Sequence, residues 1–223
     1  MIPPPLAALR DLALDLRWTW SRRADALWAR IDADLWRQTR NPWTLLEDVP
    51  AERLAALAED GGFLAHLEGL AAERRAYLAA PGWFAATHGG DAIAGIAYFC
   101  LEFGLDGALP PYAGGLGILA GDYLKTASDL GVPAIGIGLL YQEGYFRQMI
   151  DASGWQQEAY PYNEPGMMPI EPVLDQAGTR LHILLDLPGR RLRLRVWRAR
   201  VGRARLYLLD SNDALNTPVD RGI

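Results

Sequence analysis

From Leu6 to Trp20, apolar residues fall at positions 6, 9, 12, 13, 16 and 20. That is the three-and-four spacing that buries one stripe of a helix, so one helix is predicted there. Ser21 is placed to cap a second, with Ala24, Leu27, Trp28 and Ile31 on its inner face. Asn41-Pro42 breaks the rhythm. It returns over residues 51 to 80 through Leu54, Leu57, Leu67, Leu70 and Tyr77, with Gly61-Gly62 as an interruption. Residues 1–88 are therefore predicted as a mainly helical segment.

The period then changes. Residues 92 to 101 form a short apolar run, 116 to 130 are helical in pattern, and 132 to 140 form a second apolar run. Buried strand, helix and buried strand predict a right-handed parallel crossover, and make residues 89–223 an incomplete α/β domain. Beyond Tyr141 the texture turns antiparallel. Strands are predicted near 144 to 150 and 155 to 160 around the Asp151-Ala152-Ser153-Gly154 turn, near 181 to 187 and 190 to 201 around Pro188-Gly189, and over about 204 to 210. Eight arginines lie between 190 and 205, and their alternation with apolar residues slips by one at Val196-Trp197. A bulged strand with an arginine-bearing solvent face accounts for that slip.

Composition narrows the function classes. The 223 residues are 50% hydrophobic and 22% charged, with a formal charge of -5, which argues against nucleic acid as a partner. The longest apolar runs reach half of the roughly 20 residues a membrane helix needs, and the start lacks the order of a signal peptide, so a cytoplasmic protein with no membrane partner is expected. Cys100, the single cysteine, lies in an apolar run and reads as buried. His66, His88 and His182 are too scattered to suggest a metal site. Trp18, Trp20, Trp28, Trp36 and Trp43 crowd the helical segment; they suit sugar platforms, but helical spacing favours core.

Gly114, Gly115 and Gly117 open the predicted helix. Two explanations compete. Bare amides at a helix start, with the positive end of the helix dipole, would seat a phosphate or sugar phosphate; alternatively, absent side chains let helix and strand pack closely. A dinucleotide fingerprint is a poor match because the preceding strand ends more than ten residues earlier, and no Gly-Lys-Ser/Thr follows for a P-loop. Leu119, Leu124 and Ala127 are expected on the packed side. Asp122, Lys125 and Asp129 are expected to pair on the wet side, which leaves Lys125, the only lysine, unsuited to forming an imine.

Several ordered motifs together resemble the N-terminal part of the α-glucan phosphorylases, the glycogen, starch and maltodextrin phosphorylases. They are CLEFG at 100 to 104, AGGLGILAGDYLKTASDLGVP at 113 to 133, the Tyr141, Gly144, Phe146 and Gln148 pattern of YQEGYFRQ, and GWQQE at 154 to 158. LRWTWS and ADLWRQTRNPW resemble the extra N-terminal segment of the bacterial branch. The resemblance covers essentially the whole chain. It implies the N-terminal domain of a two-domain, GT-B-like glycosyltransferase fold, with the active site in the cleft between domains. It also implies cleavage of α-1,4-glucan ends by phosphate to give glucose 1-phosphate, with pyridoxal phosphate acting through its phosphate group.

Carried over by position, the amides of Gly114, Gly115 and Leu116 face the substrate phosphate and glucosyl unit, and Glu102 stands beside them. Many members have an aromatic residue after LEF that touches the cofactor; here that position is Gly104. The cofactor lysine, the phosphate clamp and the sugar-binding histidine are expected outside this chain, which should be inactive without the missing C-terminal domain of a parent enzyme, itself a candidate homo-oligomer. Two alternatives stay open. One is the N-terminal domain of a glycogen or starch synthase, although Pro111-Tyr112-Ala113 lacks the lysine such proteins carry before the glycines. The other is a non-catalytic glucan-binding module using Trp18 or Trp20.

Overall fold

The structure is a computed structural model and describes residues 2–89, 93–112 and 114–222. The helical segment contains α1 (Ala8–Leu14), α2 (Asp25–Ile31), α3 (Ala33–Thr39), α4 (Pro42–Asp48), α5 (Ala51–Ala58), α6 (Gly61–Ala79) and α7 (Trp83–His88). Side-chain caps set several of the starts. Asp32 accepts from the amides of Asp34 and Leu35, Asn41 from those of Trp43 and Thr44 with Pro42 opening the helix, and Asp60 from that of Phe63. The helical run over 51 to 80 is thus interrupted between α5 and α6, with Gly61-Gly62 opening the second of the two. Ser21 makes no capping bond.

The single helix predicted over 6 to 20 is two pieces. Asp15 is extended (φ -92°, ψ 99°), and its carboxylate accepts from the Arg17 amide and starts a 3-10 turn, Leu16–Thr19. The break divides the apolar stripe. Leu6, Leu9, Leu27, Trp28, Leu45 and Phe63 share one core, whereas Leu16 and Trp18 enter a second with Phe103, Leu124, Ala199 and Leu206. Trp18, Trp28 and Trp36 are buried, as their helical spacing predicts. The Trp18 ring nitrogen donates to the Ala13 carbonyl at 3.1 Å, and that of Trp20 to Asp129 at 3.0 Å, so both candidate sugar platforms serve packing.

The second half is a mixed sheet. Strands β1 (Ile96–Phe99), β2 (Ala134–Leu139) and β8 (Ala204–Asp210) run parallel, and α8 (Gly115–Leu130) connects the first two. β7 (Arg190–Val201) joins β8 antiparallel and carries β5 (Ile170–Pro172) and β6 (His182–Leu187) on its other edge. β3 (Arg147–Ile150) and β4 (Gln156–Ala159) form a separate hairpin, and a short α9 (Pro218–Arg221) follows β8. β5 has no counterpart in the predicted set; at three residues it is too short to show a period. The beginning of the first apolar run, Ala92, lies outside the described residues.

Three expectations are corrected here. β1 and β2 are not fully buried. Even-numbered residues face α8, but Phe99 is 71% exposed and Leu101 63%, because among the described residues no helix covers the opposite side of the parallel strands. Cys100, expected to be buried, is only half-buried.

Second, β7 has no bulge against β8: its register runs unbroken from Arg195 opposite Asp210 to Val201 opposite Ala204. The buried positions change instead from Leu192, Leu194 and Val196 to Ala199 and Val201, as the neighbour on the far edge changes from β6 to β5 and the strand enters the core with Leu16 and Trp18.

Third, the arginine face is solvated only in part: Arg190 and Arg191 are exposed, those further along β7 are half-buried, and all of them are paired. Arg190, Arg191, Arg193 and Arg195 meet Asp220, Asp186, Asp213 and Asp210; Arg198 meets Glu171; and Arg200 meets Glu171 and Asp11. Arg203 and Arg205 hold backbone carbonyls. Among the described residues, no helix is long and apolar enough to cross a membrane, and no histidine, cysteine and carboxylate cluster could hold a metal ion.

Candidate functional site at the start of the glycine helix

The two explanations for the glycines hold at different positions. Gly114 is the residue before α8, with φ 74° and ψ -162°, a backbone state that favours glycine, and no side chain caps the helix there. A methyl group placed on Gly114 or Gly115 would meet nothing within 4 Å. Open space therefore adjoins the first turn, where a helix has amides without intrahelical acceptors and its dipole is positive. Ala113, next to the pair, lies outside the described residues.

One turn later the glycines serve close packing. A Cβ on Gly117 would come within 3.1 Å of the Glu102 side chain, and one on Gly121 within 2.3 Å of the Gly104 carbonyl oxygen. Gly104 is equally constrained, since its own Cβ would lie 2.9 Å from Ile118 Cδ1, and its amide donates to the Gly117 carbonyl at 2.7 Å. An aromatic side chain at position 104 would collide with α8 in this arrangement. The later glycines make room for Phe103: Cβ atoms on Gly136 or Gly138 would lie 3.0 Å from its ring. The LEF segment is thus clamped between α8 and β2, which brings Glu102 beside the first turn of α8.

Glu102 is 6% exposed. It borders a hollow shared with Pro110, Pro111, Tyr141 and Asn163. Burial, and then the Glu102 charge, push the Tyr141 phenol above its ordinary value. Tyr112 lies against Tyr141 at 4.9 Å between ring centroids, and the Asn163 side-chain amide donates to the Tyr141 carbonyl at 3.0 Å. The Tyr145 amide donates to the Tyr112 carbonyl at 3.1 Å. The segment after β2 therefore forms one wall of the site. Tyr112 and Asn163 were not singled out from sequence, because tyrosines and asparagines in turns have many roles and only the fold brings these two together.

The four sequence-predicted residues, Glu102, Gly114, Gly115 and Leu116, fall at one end of α8. The Leu116 side chain is half-exposed. The outward face of the helix is more apolar than expected: Leu119, predicted on the packed side, is 67% exposed, while Gly117, Ala120, Gly121, Leu124 and Ala127 do the packing. The small residues at 117, 120 and 121 let α8 lie so close to residues 102 to 105 that the contact rotates onto them. Lys125 is corrected as well. It is half-buried, with Nζ donating to the Leu105 carbonyl at 2.7 Å; Asp129 instead accepts from Trp20 and Tyr77.

A family model described as a protein of unknown function (DUF3417) matches residues 2–109, and one described as carbohydrate phosphorylase matches residues 106–164. The maltodextrin phosphorylase of Thermococcus litoralis is 43% identical over 222 residues, which are 100% of this chain and 27% of that protein. The glycogen phosphorylase of Mycobacterium tuberculosis is 46% identical over 218 residues, 95% of this chain and 25% of its own length. That of Aquifex aeolicus is 37% identical over 216 residues, 96% and 30% respectively. The chain spans between a quarter and a third of the length of these relatives.

Proposed function

We propose that this chain, similar over its length to the N-terminal part of α-glucan phosphorylases, supplies one wall of a phosphorolytic site. That site takes an α-1,4-glucan and inorganic phosphate and yields glucose 1-phosphate. The observation that carries this reading is the unobstructed start of α8, where Gly114 and Gly115 adjoin open space while Glu102 is held buried one turn away.

In this reading the amides of Gly114, Gly115 and Leu116 donate to the phosphate and glucosyl oxygens. Fixed donors of this kind stabilise developing negative charge without having to reorganise, commonly by several kcal/mol per site. Glu102, at the hollow with Tyr141, orders the polar groups around them.

The rest of the site comes from polypeptide outside this chain. The bare side of β1 and β2, lined by Phe99, Leu101, Ile137, Leu139 and Leu209, fits a second layer supplied by that part, because parallel sheets are ordinarily covered on both faces. The whole would be a GT-B-like pair of domains, with residues 1–88 as an added helical segment and 89–223 as part of the first domain, working in the cytoplasm. Pyridoxal phosphate is the cofactor the family resemblance implies. The residues here do not fit as its anchor: Lys125, the only lysine, is engaged by the Leu105 carbonyl on the packed side of α8.

The test is a chimera in which this chain replaces the matching first 27% of the Thermococcus litoralis maltodextrin phosphorylase. It is expected to release glucose 1-phosphate from maltodextrin and phosphate, and to lose at least about tenfold in rate on Gly115→Val, which fills the space before the donors. A folded chimera without phosphorolysis overturns the reading.

A further inference from the structure

The far end of α8 is gripped by the helical segment and by the turn between β7 and β8. Tyr77, near the end of α6, places its hydroxyl 2.7 Å from Ser128 Oγ and donates to Asp129 Oδ1 at 2.8 Å. The Trp20 ring nitrogen donates to the other oxygen of Asp129 at 3.0 Å. Gly82, just before α7, presses on the cap of α8: a methyl group there would lie 2.4 Å from the Leu130 carbonyl oxygen and 2.5 Å from Gly131 Cα.

The turn between β7 and β8 completes the clamp. The Arg203 guanidinium donates to the Ser128 and Asp129 carbonyls at 2.9 and 3.2 Å and to the Ala80 carbonyl at 3.3 Å, and it stacks on the Tyr77 ring at 3.9 Å. The Arg17 guanidinium lies 4.0 Å from the centre of the same ring. A cation at the last carbonyls also suits the negative end of the helix dipole.

We infer that the helical segment is a brace for α8, and that Tyr77 is a positioning residue that fixes, from the opposite end of the helix, where the amides of Gly114 and Gly115 stand. The physical reason is leverage. A helix of 16 residues is a rod about 24 Å long. A tilt of about 5° pivoting at the far end would move the opposite end by about 2 Å over that length, against the hold of Gly104 on Gly117 and Gly121, and misplacement by about 1 Å is enough to cost a positioned group much of its catalytic effect. This gives a role to a stretch whose matching family model, over residues 2–109, is described only as of unknown function. The consequence for phosphorolysis rests on the reading under Proposed function; the mechanical claim does not.

Two readouts separate them. In the 223-residue chain, residual dipolar couplings report the axis of α8 against β2 and β8. Tyr77→Phe keeps the ring and removes the hydroxyl. It is expected to tilt α8 by several degrees and to shift the Gly114 and Gly115 amide signals, with Trp20→Phe producing a smaller tilt should Tyr77→Phe fail to fold. An unmoved helix axis, with signal changes confined to the surroundings of positions 77, 128 and 129, overturns the brace. In the phosphorolytic chimera, Tyr77→Phe is expected to raise KM for phosphate at least fivefold while the thermal midpoint falls by only a few degrees. Loss of stability with KM and kcat unchanged likewise overturns it. If the chimera carrying wild-type Tyr77 fails to phosphorolyse, the proposed function falls, and the dipolar couplings still decide the brace.

Discussion

Gly104 and Gly121 touch backbone to backbone: a single added methyl group on Gly121 would stand 2.3 Å from the Gly104 carbonyl oxygen and 2.7 Å from its carbonyl carbon. Neither partner is a flexible side chain that could swing aside, so the contact tolerates only hydrogen. Gly121→Ala is therefore expected to destabilise the chain by about 2 kcal/mol or more, as overpacking in a rigid interior does. Gly115→Ala, which adds the same atom in open space, should stay within about 0.5 kcal/mol. Urea unfolding of the two variants side by side reads the difference; equal losses would contradict the division of labour among the glycines.

Asp15 is buried, and its two oxygens serve different elements. Oδ2 accepts from Arg74 Nε at 2.7 Å, and Oδ1 from the Gly202 amide at 2.9 Å, so the carboxylate links α1, α6 and the turn after β7. Asp15→Ala leaves a largely buried guanidinium and a buried amide unmatched, and should cost about 3 to 5 kcal/mol. Asp15→Asn retains an acceptor for Gly202 and should recover part of that. Thermal unfolding of the three proteins gives the order wild type, Asn, Ala.

The Tyr77 phenol is raised above its ordinary value. Burial is the main cause, and the Asp129 carboxylate acts in the same direction against the Ser128 hydrogen bond and the Arg203 charge. Because the folded value exceeds the unfolded one, near 10, its contribution to stability is fully present below the unfolded value and is lost as pH rises through the folded one. Phenolate absorbance in an alkaline titration should show late-ionising tyrosines, one fewer in Tyr77→Phe. The stability gap between wild type and Tyr77→Phe should close over the same range.

Phe99 and Leu101 present a large apolar area on the uncovered side of the sheet. Alone in solution the chain should self-associate with concentration and bind a hydrophobic dye. Phe99→Ser should reduce both while changing stability by no more than about 0.5 kcal/mol, as surface substitutions do. Sedimentation velocity and dye fluorescence test this directly.

Incubation with pyridoxal phosphate followed by borohydride reduction and digestion should leave Lys125 unmodified, because its amine is occupied by the Leu105 carbonyl and faces the packed side of α8. Specific labelling at that residue would place a cofactor anchor in this chain after all.

Much of this architecture was legible in the pattern of residues. The crossover around α8, the hairpin turned at Asp151 and the long arginine strand follow from changes of period and from turn residues, which act locally. What was hidden depends on distant partners. Nothing near Leu119 tells that Gly117 and Gly121 will admit residues 102 to 105 so closely that the helix rotates its leucines outward. The arginines of β7 look unpartnered until Asp11, Glu171, Asp186, Asp210, Asp213 and Asp220 are brought beside them. At the candidate site, Gly114 and Gly115 draw attention as glycines before a helix, whereas Glu102 and Leu116 come only from the family resemblance. Tyr77 was read only as part of a helical stripe, since its partners Ser128 and Asp129 lie 51 and 52 positions away.

The two cores differ in when they can form during synthesis. The first draws its buried members from residues 6 to 67 alone, so it can close while the ribosome is still making the sheet. The second joins Leu16 and Trp18 to Leu208 and cannot close until nearly all of the 223 residues have emerged. The helical part is thus an early, finished surface onto which the slower strands are laid down, and Leu16 and Trp18 wait on it as the first two contacts of a core still to be translated.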